Sequence, residues 1–513
     1  MVSRVNSVGL AGLEGFAVEV EADIHRAEKL EIDIIGLPDA SVKEAKDRVR
    51  AAAQNSGYKL MNWSVVLNLA PANVRKEGSS FDLAIVLAVL ISSGQIPPVD
   101  ERSAFVGELS LSGQLRPCAG VLASVISARE LGFSRIFVPR ANAAEGAVID
   151  GIEVYGADDL KQVIAHLNGS AVMQPCRTDV EGFVRASEER LEDFSDVVGQ
   201  QSARRACEIA AAGGHNMLFI GPPGAGKSML AKRLPSILPD MTFGEMIESS
   251  KIYSIAGKLS AEQPLVCDRP FVRTNQSVSV VGMTGGGAMP GPGLISLAHN
   301  GVLFLDEVAE FNPKVLDSLR QPLEDDCVTI SRVRKTLTYP ASFMLVCAMN
   351  PCPCGRFGHP TLRCICTPQQ IERYMGRISG PLLDRIDLQV ELPPVPVSEL
   401  RHSGTAECSA SIRERVNRAR RRQQERYRGT GVSCNAKMTP AMIRQRRNSA
   451  VTPEALNLLN DIFTKLSLSM RAYDKIIKIS QTIADLSDED VITADHVAEA
   501  VYFRSLDKKY WSL

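Results

Sequence analysis

The chain has 513 residues, with 58 lysines and arginines against 59 aspartates and glutamates and a net charge of −1. No global field draws it to nucleic acid or to a membrane surface, so contact with a polyanion has to come from local patches. The length predicts about two to four domains with separate cores. The longest near-continuous apolar run, Leu83–Ile91, is too short to cross a bilayer. The start of the chain lacks the basic and apolar regions of a signal peptide, and a cytoplasmic protein is expected.

Residues 1–168 alternate apolar strands (Phe16–Val20, Ile32–Ile35, Ser64–Leu69, Ile136–Val138) with helical stretches (Ser41–Ser56, Leu83–Ser93, Val121–Leu131). The pattern predicts an α+β domain. Residues 169–192, rich in Gly, Ser, Pro and charge, read as a linker. Asp196-Val-Val-Gly-Gln200 then opens a second module over 193–400, where Val197 and Val198 either line an adenine pocket or belong to the core.

The strongest motif is Leu218-Phe-Ile-Gly-Pro-Pro-Gly-Ala-Gly-Lys-Ser228, an apolar strand breaking into a glycine-rich turn and then a helix. Gly221, Pro222, Pro223, Gly224, Ala225, Gly226, Lys227 and Ser228 fit the P-loop pattern, whose backbone N–H groups cradle phosphate oxygens. Lys227 would neutralise β/γ-phosphate charge and the Ser228 hydroxyl would hold Mg²⁺. Gly301-Val-Leu-Phe-Leu-Asp-Glu307 reads as a buried strand ending in two carboxylates. Asp306 would hold Mg²⁺ through water, and Glu307 would orient or activate the attacking water. The interval between the two motifs contains Met283-Thr-Gly-Gly-Gly-Ala-Met-Pro-Gly-Pro-Gly293, expected as a flexible loop outside the core.

Further on, Val328–Tyr339 alternates apolar and polar residues and predicts a hairpin presenting Arg334 and Lys335 at its tip, as DNA contacts or as a solvated turn. Phe343–Asn350 is an apolar strand ending in an amide, where a sensor residue would sit between phosphate and attacking water. Cys352-Pro-Cys354 and Cys364-Ile-Cys366 flank nine residues. These four thiols suggest a structural Zn²⁺ site, with His359 as an alternative fourth ligand and free thiols as the alternative to a metal. Arg385, in Pro381-Leu-Leu-Asp-Arg-Ile-Asp387, reads either as a surface ion pair or, in a ring ATPase, as an arginine reaching the γ-phosphate of a neighbouring subunit. Residues 401–513 read as helical. There, Ile412–Arg428 carries eight arginines, as a solvated face or a DNA- or subunit-facing helix, and Arg471 is a candidate second sensor.

Several segments resemble the magnesium-chelatase branch of AAA+ ATPases. They are Gly285-Gly-Gly, Pro290-Gly-Pro-Gly, Ser296–Glu307, Leu319-Arg-Gln-Pro-Leu-Glu324, Ala348–Gly355 and Ser379–Asp387. The first domain resembles the Lon-type fold of the ribosomal-S5-like superfamily. Lys76-Glu-Gly-Ser-Ser80-Phe stands where Lon proteases carry the catalytic serine, but Leu122, after Pro117-Cys-Ala-Gly-Val121, replaces the partner lysine. A serine without a base is not a nucleophile, so this domain is expected to dock or position a substrate and not to cut peptides.

Together the two resemblances identify the chain as similar to the YifB/ComM family. That likeness implies a fold of Lon-like domain, parallel-sheet AAA+ module and helical lid. It further implies ATP and Mg²⁺ as cofactors and a homohexameric ring acting as a branch-migration helicase on single-stranded and branched DNA in natural transformation. Recombination proteins are candidate partners, and no membrane is involved. A chelatase-like ATPase that remodels a protein partner, and a nucleotide-dependent scaffold or protease regulator, are the competing readings; chelatase motor subunits lack the Lon-like domain. Phe271-Val-Arg-Thr-Asn-Gln276 departs from the family's Phe-Arg-x-Pro-His-His, and no role is carried over to it.

Overall fold

The computed structural model describes residues 2–60, 62–188, 191–287, 291–332, 335–394, 407–466 and 469–511. Contacts gather the chain into two units that are not contiguous in sequence: 1–185 with 243–267 and 331–339, and 186–242 with 268–330 and 340–513.

The first unit is built on a seven-stranded sheet. From one edge its strands run Glu31–Ile35, Trp63–Ala70, Glu14–Arg26, Ser3–Ala11, Ser103–Phe105, Arg135–Pro139 and Glu153–Ala157. Ser3–Ala11 and Glu14–Arg26 form an antiparallel hairpin, while the last three strands run parallel to Ser3–Ala11 and to each other. Alternation along Glu14–Arg26 buries Val18, Val20 and Ala22, as a sheet with one face in the core requires. Asp82–Ser92 is apolar all round and buried from Asp82 to Leu90. A helix without a polar face has to lie inside the core.

That helix carries one buried charge. The Asp82 carboxylate accepts from Arg48 Nε at 2.7 Å and from Nη2 at 2.9 Å, and from the Leu109 N–H at 3.2 Å. Burial pushes its carboxyl above the usual range, against the pull of Arg48. Helix Phe243–Ile255 belongs to this unit and packs by Val121–Glu130. Ser254 Oγ accepts from the Leu122 N–H at 3.2 Å, and the Ser254 carbonyl accepts from Gly120 N–H at 2.9 Å. Gly120 has φ +81° and a Cβ there would lie 2.4 Å from Leu10 Cδ1, so only glycine fits.

The second unit holds a five-stranded parallel sheet in the order Phe271–Thr274, Val302–Leu305, Met344–Met349, Met217–Ile220, Leu388–Glu391. Its three central strands are buried throughout, the continuous apolar pattern of a sheet covered on both faces. Helices Ser409–Arg426, Pro440–Ser449, Pro453–Leu466, Met470–Leu486 and Ala494–Tyr502 complete the unit, and their apolar faces join the sheet in one core. The stretch read as a linker contains the helix Val180–Glu188. Among the described residues no helix is long and apolar enough to cross a membrane.

Replacing Asp82 by alanine strands Arg48, 19% exposed at its side chain, without its counter-charge. A loss of about 3–5 kcal/mol is expected in denaturant unfolding of the first unit, while nucleotide affinity should be unchanged.

Candidate nucleotide site

In a parallel sheet the C-terminal ends of all strands lie along one edge, and ligands bind there where the strand order reverses. Ile220 pairs with Met349 and Leu305 with Cys347. This register carries Gly221, Asp306 and Asn350 to the same edge. The strand Met344–Met349 runs between the P-loop strand and the Val302–Leu305 strand, which places Asn350 between the lysine and the two carboxylates.

The contacts follow. Lys227 Nζ donates to the carbonyls of Gly221 (2.6 Å) and Pro222 (2.9 Å) and to Asn350 Oδ1 (3.1 Å). Ser228 Oγ donates to Asp306 Oδ2 at 3.0 Å. Gly226 has φ +91° and leads directly into the helix Lys227–Arg233, a conformation that glycine adopts without penalty. Glu307 itself has φ +53°. For a non-glycine residue that conformation is uncommon, costs energy and clusters at functional sites. Lys227 is 8% exposed, and burial pulls its ammonium down to about 8, with Asp306 and Glu307 opposing the shift.

The segment from which no function was expected supplies two further residues. Arg273 Nη2 lies 2.8 Å from Asp306 Oδ2, and Gln276 Nε2 donates to Glu307 Oε2. Together these four side chains line a cavity of about 630 Å³. No local pattern pointed to them, because Phe271–Thr274 carries the exposed Arg273 in mid-strand and lacks the continuous apolar run of the neighbouring strands. On the other side of the P-loop, Val197, Val198, Pro222, Gly224 and Met229 line a cavity of about 420 Å³. Val197 is 1% exposed and belongs to the core while it lines this cavity. Gln200 closes this wall, donating to the carbonyls of Ala225 (3.2 Å) and Pro393 (2.7 Å).

The remaining candidates lie apart from this constellation. Arg385 donates to the carbonyls of Pro381 (2.6 Å) and Arg320 (3.2 Å) and pairs with Glu324. Arg471, in the first turn of Met470–Leu486, pairs with Asp384 at 3.1 Å and is 71% exposed at its side chain. The hairpin forms from Cys327–Arg332 and Lys335–Pro340. Arg334 lies outside the described residues; Lys335 begins the second strand, with its side chain also outside them. The glycine-loop expectation needs correction at its start, where Met283 is fully buried; residues 288–290 lie outside the described set. In the arginine-rich helix, Arg415 pairs with Glu208 and Glu407, Arg422 with Asp488 and Asp490, and Arg426 with Asp485. These arginines tie the helix to its own unit.

The Sγ atoms of Cys352, Cys354, Cys364 and Cys366 lie within 4.8 Å of one another. Three of the separations are 3.4, 3.6 and 3.7 Å. Tetrahedral zinc with Zn–S bonds of about 2.3 Å places its sulfurs roughly 3.8 Å apart, so the donor set fits a structural metal. His359 is not the fourth donor: its Nδ1 accepts from the N–H groups of Thr361 (3.2 Å) and Leu362 (3.1 Å).

A five-stranded parallel sheet with a P-loop, a paired-carboxylate strand end and an amide on the strand between them defines an ATP-binding module of the AAA+ class. Residues 193–400 match the family described as magnesium chelatase, subunit ChlI; 20–142 match subunit ChlI of Mg-chelatase, and 406–504 its C-terminal region. The chain is 42% identical over 497 residues to the YifB protein of Escherichia coli, covering 96% of this chain and 95% of that one. It is 41% identical over 500 residues to the competence protein ComM of Haemophilus influenzae, covering 96% of each. An archaeal Lon protease from Methanothermobacter thermautotrophicus is 26% identical over 174 residues, 32% of this chain and 27% of the protease. The chain belongs to the YifB/ComM family of magnesium-chelatase-like AAA+ proteins.

The lowered lysine sets a pH dependence. Protonated Lys227 attracts the phosphates, and in the nucleotide-free protein that charge is lost as pH rises through about 8. Calorimetric titration with ADP should give an affinity that is flat below that pH and falls above it by up to about tenfold per pH unit. In Lys227→Met the affinity should be weak and without this pH dependence.

Proposed function

We propose that the chain is an ATP-hydrolysing motor that assembles head-to-tail into a homohexameric ring, translocates on single-stranded and branched DNA in the cytoplasm, and promotes branch migration when transforming DNA is integrated. The carrying observation is the junction of Lys227 with Asn350 at 3.1 Å and of Ser228 with Asp306 at 3.0 Å. Full-length similarity to a protein named as a competence protein gives that junction its biological setting.

In this reading the P-loop and Lys227 hold the phosphates of ATP, Ser228 and Asp306 hold Mg²⁺, Glu307 activates water, and Asn350 senses the γ-phosphate. Mg²⁺ would supply charge neutralisation between the phosphates. Arg385 works on the neighbouring subunit's nucleotide, and Arg471 acts from the helical lid. Arg334 and Lys335 contact DNA from the ring's interior, where repeated copies sum to a local positive charge. The four cysteines hold a structural Zn²⁺. The Lon-like region has no peptidase role: Leu122, in place of the lysine, is fully buried. The matched family descriptions favour a second reading, an ATPase that remodels a protein partner, which predicts stimulation by protein and not by DNA.

Turnover of ATP should rise on adding branched DNA. Glu307→Gln should bind ATP and DNA yet move no junction. Turnover indifferent to every DNA, with no DNA binding at low salt, would overturn the motor reading.

For the trans arginine, Arg385→Ala should bind ATP normally and lose turnover by about a thousandfold. Mixing it with Lys227→Ala should restore part of the activity, since a Lys227→Ala subunit can lend its arginine to a neighbour with an intact P-loop. No recovery at any mixing ratio would place Arg385 outside the neighbour's site.

A further inference from the structure

The cysteine cluster and the cavity beside the P-loop are one piece of structure. Between Cys354 and Cys364 run nine residues, and His359 is the middle one. The donor pairs at the two ends of this loop lie at metal-binding separations, and Cys352 is fully buried, with its Sγ accepting from the Phe357 N–H at 3.3 Å. The backbone of the loop rests on the P-loop. At Gly355, φ +73°, a Cβ would stand 2.6 Å from Pro223 Cδ, so any larger residue would push the two apart. The far end of the loop reaches the cavity lined by Val197, Val198, Gly224 and Met229, and His359 lines that cavity with them.

The histidine enters it in a fixed chemical form. Its Nδ1 accepts backbone N–H bonds from Thr361 and Leu362, so the neutral ring carries its proton on Nε2 and remains a hydrogen-bond donor there. A cavity of about 420 Å³ with apolar walls and few polar groups has the size and character of a small-molecule pocket. A planar heteroaromatic base lies between such walls and offers ring nitrogens as acceptors.

We propose that His359 is a base-contacting residue of the nucleotide site, and that metal bound by Cys352, Cys354, Cys364 and Cys366 controls nucleotide affinity by holding the loop that carries it. The inference rests on the reading of the P-loop as an ATP site. It assigns the cysteine cluster a role at the base end of that site, with no part in the phosphate chemistry. Metal binding closes the nine-residue loop, and residues ordered in advance do not have to be ordered when the ligand binds. Loss of the metal then weakens only what the loop touches.

The test compares two probes on the full-length protein without added Mg²⁺: ADP, which has a base, and inorganic tripolyphosphate, which has none. Zinc content is measured for each preparation. His359→Ala should keep its zinc, bind tripolyphosphate as the unsubstituted protein does, and bind ADP about tenfold more weakly, the loss of roughly one good hydrogen bond. Cys364→Ser with Cys366→Ser should lose zinc and weaken binding of ADP more than that of tripolyphosphate, whose binding can also shift because the loop touches Pro223. Unchanged ADP affinity in His359→Ala, or equal weakening of both probes in that zinc-loaded variant, would overturn the proposal. If the unsubstituted protein bound neither probe, the ATP-site reading itself would fall; if it bound both and the variants did not discriminate, only the role of the loop would.

Discussion

The side chains of the candidate nucleotide site are brought together by the register of a parallel sheet. Because Ile220 lies opposite Met349 and Leu305 opposite Cys347, the residues that follow these strands emerge at one edge. A lysine, a serine, an acid pair and an amide can then meet although as many as 123 residues separate them in sequence. The strands are apolar on both faces, and burying them holds the register. Slipping one strand by a residue would turn its side chains to the wrong face and move its terminal polar residue away from the others. The chemistry of the site is thus secured by hydrophobic packing that contains no catalytic group.

The charged groups of the site compensate one another. Lys227 is held by two carbonyls and Asn350. Arg273 lies against Asp306 and Gln276 against Glu307, so both acids have partners within the chain. Arg385 is likewise satisfied by Glu324 and two carbonyls. Buried or partly buried charges left unpaired are costly, and these contacts are the intramolecular solution.

Much of this was legible in the sequence because the P-loop, the Asp306–Glu307 pair and the Asn350 strand end are local patterns: an apolar run, then a polar terminus. Strand extents came out short in the first unit, where Glu14–Arg26 exceeds the expected Phe16–Val20, because polar residues alternating with the buried ones interrupt the apolar pattern without ending the strand. Three kinds of feature were not legible. Arg273 and Gln276 reach Asp306 and Glu307 through strand adjacency, which no local pattern encodes. His359 stood as an alternative fourth ligand by proximity in sequence, and the four clustered thiols together with the turn that occupies its Nδ1 remove it from that role. The arginines of Ser409–Arg426 looked like a basic surface because their acidic partners, Glu208 and Asp485 among them, are remote in sequence.

The division of the chain has a consequence for how such a protein can change over evolutionary time. The first unit is made of 1–185, 243–267 and 331–339, so the backbone passes between the units five times. A module joined at a single point is readily lost, swapped or fused by one recombination event. Here a break near residue 185 would separate the seven-stranded sheet from the helix whose Ser254 binds the Leu122 and Gly120 backbone. Three separate stretches have to travel together for the Lon-like unit to be inherited whole. The two halves are in this sense interleaved along the chain, and a single cut cannot part them cleanly.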